Sequence, residues 1–345
     1  MKYLLCPLSF LYNCLSKLNK FLTKSYKLNK SVISIGNITW GGSGKTPMVK
    51  ETAKYILSLG KAPVILSRGY GRKNKTDKNV IVRDKKQILS NLENSGDEPF
   101  MLANSVECPI VIGSNRVKSA EISKQFSPDV FILDDGFQHW KLERDIDIVC
   151  INAINPFGNG MIIPAGILRE NLTALKRATI IVITNCNLCE PEKLNELKNR
   201  ILKITGKQPL ETSLVFSKIT NLFDGKELEE QFKQNFNFSV VSAIGSPENF
   251  INTVKNAGLK IKNKFVFTDH HKYTKKDICE IVNKLGINEK IITTAKDAVK
   301  IKEVVDINIQ KQIYVLDVSI AFVTGRDIFE KEIKEIVGIN YEKNK

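Results

Sequence analysis

The stretch from Val32 to Thr46 restricts the folds open to this chain more than any other. A short apolar run at 32–35 enters Gly36-Asn37-Ile38-Thr39-Trp40-Gly41-Gly42-Ser43-Gly44-Lys45-Thr46, and a helical pattern begins at once. Strand, glycine-rich loop and helix in that order make a phosphate cradle. Successive main-chain amides and the helix N-terminus present positive dipole, and the missing Cβ atoms let an anion come close. Gly41, Gly42, Ser43 and Gly44 supply amides, Lys45 reaches the β- and γ-phosphates of ATP, and the Thr46 hydroxyl ligates Mg²⁺. The loop is a variant, because Thr39 stands where the common pattern has its first glycine.

The remaining chain alternates as such a loop requires. Unbroken apolar runs at 64–66, 80–82, 110–112, 130–133, 146–151 and 180–183 are separated by helical patterns at 45–59, 115–125 and 192–204. Continuous apolarity marks strands covered on both faces, as in a parallel sheet. Further strands near 214–219, 239–243, 264–267, 291–293 and 313–318 come with helices near 248–257, 275–285 and 327–337. The expected fold is α/β, a phosphate-loop NTPase-like, mostly parallel sheet with a second, smaller α/β domain. The division is placed near Pro209, with 1–208 carrying the phosphate loop and 209–345 closing a cleft. Seven cysteines without a framework predict reduced thiols and a cytosolic chain. Cys186-Asn187-Leu188-Cys189 has no second pair at zinc spacing, so no metal is assigned to it.

A buried strand ending in Asp134-Asp135-Gly136-Phe137-Gln138-His139 places carboxylates at the carboxyl edge of the sheet, where the phosphate loop also opens. That is where phosphoryl transfer holds its Mg²⁺; alone, the same pair would only cap a turn. Asp97, in Gly96-Asp97-Glu98-Pro99, is either a helix N-cap or a base for a substrate hydroxyl oriented by a histidine of the second lobe. The three histidines are His139, His270 and His271, and the two tryptophans, Trp40 and Trp140, lie in or beside the same motifs. Ser67-Arg68-Gly69-Tyr70-Gly71-Arg72, Arg116 and Arg169 add guanidinium forks suited to phosphate.

The formal charge of +15, from 52 Lys and Arg against 37 Asp and Glu, favours an anionic partner. Nucleic acid is not expected, since no aromatic and basic residues interleave on one face. At the N-terminus Leu8, Leu11, Leu15, Leu18 and Leu22 recur at helical spacing, and Lys17, Lys20, Lys24 and Lys27 recur opposite them. Such a helix either packs its leucine stripe on the domain or lies in the headgroup region of an anionic membrane. No apolar stretch is long enough to span a bilayer.

These motifs, in this order and continuing through Leu168-Arg169-Glu170 and Asp269-His270-His271 to Lys296-Asp297-Ala298-Val299-Lys300, resemble the tetraacyldisaccharide 4′-kinases of the lipid A pathway in Gram-negative bacteria. The resemblance implies a peripheral enzyme on the cytoplasmic face of the inner membrane. It would transfer the ATP γ-phosphate to the 4′-hydroxyl of a tetraacylated glucosamine disaccharide 1-phosphate, with no obligate protein partner. It implies Asp97 as general base with His270 as its dyad partner, His271 being the alternative. Lys45 is implied on the nucleotide, and Thr46, Glu98, Asp134 and Asp135 at the metal. Tyr70, Arg116, Gln138, His139 and Arg169 are implied at phosphate or sugar. Ala295 stands where the family carries Glu, and Ile167 and Asn171 where it tends to carry Pro. The rival reading is a nucleotide switch with the same loop. Asn185-Cys186-Asn187-Leu188, found where a guanine-reading Asn-Lys-x-Asp could fall, argues against it.

Overall fold

Two-sided burial, which the unbroken apolar runs predict, is realised along whole strands. The computed structural model describes residues 5–70, 72, 79–269 and 271–339. In chain order, helix α1 (Cys6–Leu22) precedes β1 (Ser31–Gly36), α2 (Lys45–Ser58), β2 (Pro63–Ser67), β3 (Val80–Arg83), α3 (Leu92–Ser95), α4 (Asp97–Ala103) and β4 (Ile110–Ile112). Next come α5 (Arg116–Ser123), β5 (Val130–Asp134), β6 (Ile146–Asn152), β7 (Ile180–Thr184), α6 (Pro191–Thr205) and β8 (Leu210–Asn221). The last part holds β9 (Asn237–Ser242), α7 (Pro247–Asn256), β10 (Lys260–Val266), α8 (Lys275–Val282), β11 (Glu289–Thr294), α9 (Ala295–Val304), α10 (Ile307–Gln310), β12 (Ile313–Thr324) and α11 (Arg326–Ile336). Every residue of β2, β4, β5 and β7 is buried.

The chain forms two compact units. The larger comprises Met1–Ser95, Leu102–Leu214 and Ile320–Lys345, and the smaller Gly96–Met101 and Val215–Ser319. A single cut near Pro209 is therefore replaced by crossings inside β8 and β12, and α11 belongs to the first unit, not the second. The cause is packing: Phe329 and Ile333 of α11 are fully buried in the larger core, with the Phe329 ring 5.8 Å from Tyr55 and 5.1 Å from Phe322. Residues 96–101, distant in sequence from the rest of the smaller unit, join it.

In the larger unit the strands lie in the order β7-β6-β1-β5-β2-β4-β3. All pair in parallel except β3, which runs antiparallel to β4. Alternation along β1 sends Ile33 and Ile35 against Met48, Val49, Ala53 and Ile56 of α2. Val32 turns to the other face, with Val64, Leu66, Phe131 and Leu133. The smaller unit has the parallel order β10-β9-β11-β12. Its core sets Ile291 and Ile313 against Ile278, Ile281 and Ile301.

Gly36 decides how β1 meets the loop after β5. A Cβ there would lie 2.5 Å from Phe137 Cβ and 2.8 Å from its amide nitrogen. Gly36→Ala should cost about 1–3 kcal/mol through this overlap. A urea midpoint equal to that of the parent protein would contradict it.

Helix α1 reverses the ordinary arrangement of an amphipathic helix. Leu8, Leu11, Leu15, Leu18 and Leu22 are each more than half exposed, and Phe10 and Phe21 are 70% and 86% exposed. The side held against the protein is small and polar: Ser9 is buried, with Cys6, Asn13 and Ser16 half-buried at the same helical spacing. Ser9 Oγ donates to the Ile162 carbonyl at 2.8 Å and accepts from the Ala165 amide at 3.1 Å. Lys20 Nζ stands 4.6 Å from the centre of the Trp140 ring. The leucine stripe thus does not pack on the domain.

Candidate active site

The phosphate loop leaves β1 and enters α2 through Gly41 and Gly44, with φ of 111° and 77°. Both are left-handed conformations that glycine adopts without strain. A Cβ on Gly41 or Gly42 would meet nothing within 4 Å, so the loop backbone faces open space. At the start of α2 no side chain caps the first amides, and the first turn carries no acidic residue. Those donors, the helix dipole and the buried, unpartnered Ser43 Oγ form an anion cradle.

Neighbouring strand ends brace the loop. Asn152 Nδ2, at the end of β6, donates to the Gly42 carbonyl at 3.0 Å. Thr184 Oγ1, at the end of β7, donates to the Ser43 carbonyl at 3.1 Å. Asn185 takes φ 61°, and its Nδ2 reaches Asn152 Oδ1 at 3.1 Å. Sequence reasoning missed all three as loop supports. The signal was there, in polar residues closing two buried strands, but Asn185 was weighed only as a failed guanine reader.

The register of β1 on β5 sets Ile35 beside Asp134, which carries the acidic pair to the loop's side of the sheet. Asp134 is buried and accepts from Ser67 Oγ at 2.8 Å. Asp135, with φ 53°, lies 3.6 Å from Lys45 Nζ, and both its oxygens are 2.9 Å from Arg169 Nη1. Burial pushes the Asp135 carboxyl up, but Lys45 and Arg169 outweigh burial and hold it below the usual carboxylate range. Arg116 is buried at the start of α5. Desolvation lowers its pKa to about 10 against the opposing pull of Asp134, so it stays cationic at neutral pH.

The Leu168-Arg169-Glu170 segment runs directly against the phosphate loop. The Trp40 amide donates to the Ile167 carbonyl and the Arg169 amide to the Ile38 carbonyl, each at 2.7 Å. The segment also fastens the acidic motif twice, through Arg169 on Asp135 and through Glu170 Oε1, which accepts from Gln138 Nε2 at 2.9 Å. Gln138 Nε2 further donates to the Asn37 carbonyl at 2.9 Å. Glu170 in turn pairs with Arg177, whose guanidinium sits 4.5 Å from the Phe137 ring centre. Neither Glu170 nor Arg177 was expected.

His139 is largely enclosed with its Nε2 unpartnered, and burial followed by the Arg116 and Arg144 charges lowers its pKa to about 4. It is a neutral imidazole at physiological pH. Tyr70 is 70% exposed. Trp40, Tyr12, Ile163, Pro164, Gly166 and Ile167 line an apolar cavity of about 460 Å³ beside the loop.

The smaller unit holds Asp97 and Glu98 on the first turn of α4. Asp97 Oδ2 is 3.8 Å from Lys300 Nζ, and Glu98 is exposed. His270 lies outside the described residues. His271 serves the structure: its ring stacks on Phe267 at 4.6 Å, and Nε2 lies 3.3 Å from Asp277 Oδ2 at the start of α8.

No trio of His, Cys, Asp or Glu side chains gathers into a metal-holding group among the described residues. Asp134, Asp135 and the Thr46 hydroxyl are a donor set that fits Mg²⁺, which takes one or two carboxylates and completes its shell from phosphate and water.

The family model described as Tetraacyldisaccharide-1-P 4'-kinase matches residues 1–337. The chain belongs to this family. A tetraacyldisaccharide 4'-kinase of Elusimicrobium minutum is 37% identical over 343 residues, covering 95% of this chain and 90% of that relative. One of Halothermothrix orenii is 35% identical, covering 92% and 88%. The crystal structure of LpxK from Aquifex aeolicus, solved in complex with ATP, superposes with a TM-score of 0.77 at 28% identity, covering 97% of this chain and 99% of that one. The fold and the activity class rest on these likenesses together with the phosphate loop.

Proposed function

We propose that Lys45, the amides of residues 41–46, Arg116 and Arg169 hold the triphosphate of ATP while Asp97 removes the proton of the acceptor hydroxyl. The family's reaction gives the acceptor: the chain is an ATP- and Mg²⁺-dependent kinase that phosphorylates the 4′-hydroxyl of tetraacyldisaccharide 1-phosphate. The observation carrying the nucleotide side of this assignment is the Lys45–Asp135–Arg169 cluster at the mouth of an open, uncapped amide cradle, while Asp97 is assigned by its motif.

Phosphoryl transfer asks for positioning and charge neutralisation more than for covalent chemistry. Asp135 keeps Lys45 at the loop's edge until the nucleotide supplies stronger anionic partners. Arg169 holds Asp135 in place meanwhile, and Arg116 adds a fixed cation from the start of α5. Thr46, Asp134 and Asp135 would hold Mg²⁺, with Glu98 joining on the strength of its motif. The metal, when bound, neutralises phosphate charge. Gln138, His139 and Tyr70 are assigned to sugar or phosphate, His139 as a neutral hydrogen-bonding group. His270 is assigned as the partner of Asp97 by its motif, and the structural engagement of His271 favours that choice. The nucleotide-switch reading is not favoured, because the matching family and relatives are 4′-kinases and Asn185-Cys186-Asn187-Leu188 departs from a guanine reader.

Acyl chains and the membrane enter through α1. No helix among the described residues is long and apolar enough to cross a bilayer. With its leucines and phenylalanines outward, and Lys17 and the following Lys24 and Lys27 exposed, this segment suits the headgroup region of an anionic leaflet. The apolar cavity between Tyr12 and Trp40 suits an alkyl chain. We place the enzyme peripherally on the cytoplasmic face of the inner membrane. Replacing Phe10, Leu18 and Phe21 together by serine should weaken partitioning onto anionic vesicles at least tenfold, since each large apolar side chain is worth roughly 1.5–3 kcal/mol on burial. Unchanged partitioning would remove the membrane role. The activity itself is tested by incubating the protein with γ-labelled ATP and the disaccharide 1-phosphate lipid. Label on the sugar is expected, and phosphate release without sugar labelling would sink the reading.

A further inference from the structure

The Lys296–Lys300 motif finds no place in the scheme above, yet the structure buries two of its charges, Asp297 and Lys300. Thr294 caps α9, its Oγ1 accepting from the Asp297 amide at 3.0 Å and donating to Asp297 Oδ2 at 2.8 Å. The Ala243 amide donates to the same oxygen at 3.0 Å. Asp297 is completely buried and cannot change rotamer without losing both bonds. One helical turn on, Lys300 is 6% exposed and pairs with Asp297 Oδ1 at 3.1 Å. A lysine is almost never this buried unless it is paired.

An ammonium has three protons to give. Around Lys300 Nζ stand Asp297 Oδ1, the His271 carbonyl at 3.3 Å and Asp97 Oδ2 at 3.8 Å. The first two are fixed by the cap of α9 and by the structured turn at His271. The third is the side chain assigned as base. All of these groups lie within the smaller unit.

We infer that Lys300, locked by Asp297, is a positioning residue that orients the Asp97 carboxylate for the acceptor hydroxyl. The inference rests on the reading of Asp97 as base. It gives the motif a purpose: Thr294 fixes Asp297, Asp297 fixes Lys300, and Lys300 fixes the carboxylate. A rigid chain of ion pairs of this kind, ending 3.8 Å from Asp97 Oδ2, holds the base in place by charge, and a misplacement of about 1 Å can cost roughly 100-fold.

Removing Lys300 alone would strand a buried Asp297 charge and threaten folding. The test therefore uses Asp297→Asn/Lys300→Met, which removes both charges at similar volume, together with Lys300→Arg, which keeps the cation. Both are measured with and without Asp97→Asn, using the full chain, ATP and the lipid acceptor. The charge-free pair should lower kcat about 10- to 100-fold, leave KM for ATP within twofold, and add nothing in the Asp97→Asn background. Lys300→Arg should stay within threefold of the parent, and a loss as large as that of the charge-free pair would count against the inference. Melting temperature, followed in parallel, separates an unstable variant from a misaligned one. Equal losses of kcat in both backgrounds, or kcat unaffected by the pair, would overturn the inference while leaving Asp97 as base. Parent-like turnover by Asp97→Asn alone would overturn the base reading and this inference with it.

Discussion

Lys45→Ala should lower kcat for phosphate transfer by about 10³-fold or more, the scale at which a fixed donor to developing charge is worth several kcal/mol in a desolvated site. The ammonium sits at the first residue of α2, 3.6 Å from Asp135 and only slightly exposed, so it lies at the cradle and outside the hydrophobic core. Its loss leaves the phosphates with main-chain amides and the arginines but no mobile cation to follow the γ-phosphate as it departs. Asp135 retains Arg169 as its partner, so no buried charge is stranded and the urea midpoint should hold. Single-turnover transfer from γ-labelled ATP to the lipid acceptor reads the effect. Turnover within tenfold of the parent would remove Lys45 from the chemistry.

Asp97→Asn comes second in size. The amide keeps the shape of the side chain but takes up no proton, and positioned bases typically contribute 10²–10⁴-fold. We expect kcat to fall within that range while the dissociation constant for ATP changes less than threefold, because the cradle and Lys45 are untouched. Parallel loss of nucleotide affinity and turnover would move Asp97 from proton transfer to nucleotide binding.

Much of the site was legible because its chemistry is compressed into short segments. The phosphate loop could be read from Gly41 to Thr46, since glycine takes the left-handed conformations found at Gly41 and Gly44 without strain. Asp134 and Asp135 could be read as metal candidates only together with the phosphate loop, because their buried strand ends on the sheet edge where that loop opens; alone the pair would have read as a turn cap. What sequence could not supply was the wiring between segments. That Arg169 meets Asp135 while the adjacent Glu170 meets Gln138 depends on a loop lying against Trp40 and Ile38 through main-chain bonds, which leave no trace in side-chain pattern. The division into units escaped for a similar reason: the apolar face of α11 announces that it needs a core, not which one. Helix α9 was overlooked because its short run of charged residues resembles an exposed turn, although Asp297 and Lys300 are among its most buried side chains.

The periodicity of α1 named its two faces correctly but not their directions. A leucine stripe ordinarily turns inward, and here the inward side is Ser9 with its small neighbours. It follows that this segment contributes little to the free energy of folding. Its residues are open to selection by whatever surface they meet, free of the jigsaw constraints of an interior. Lineages with different envelopes could retune its length, charge and bulk step by step, while the machinery beneath went on folding unchanged.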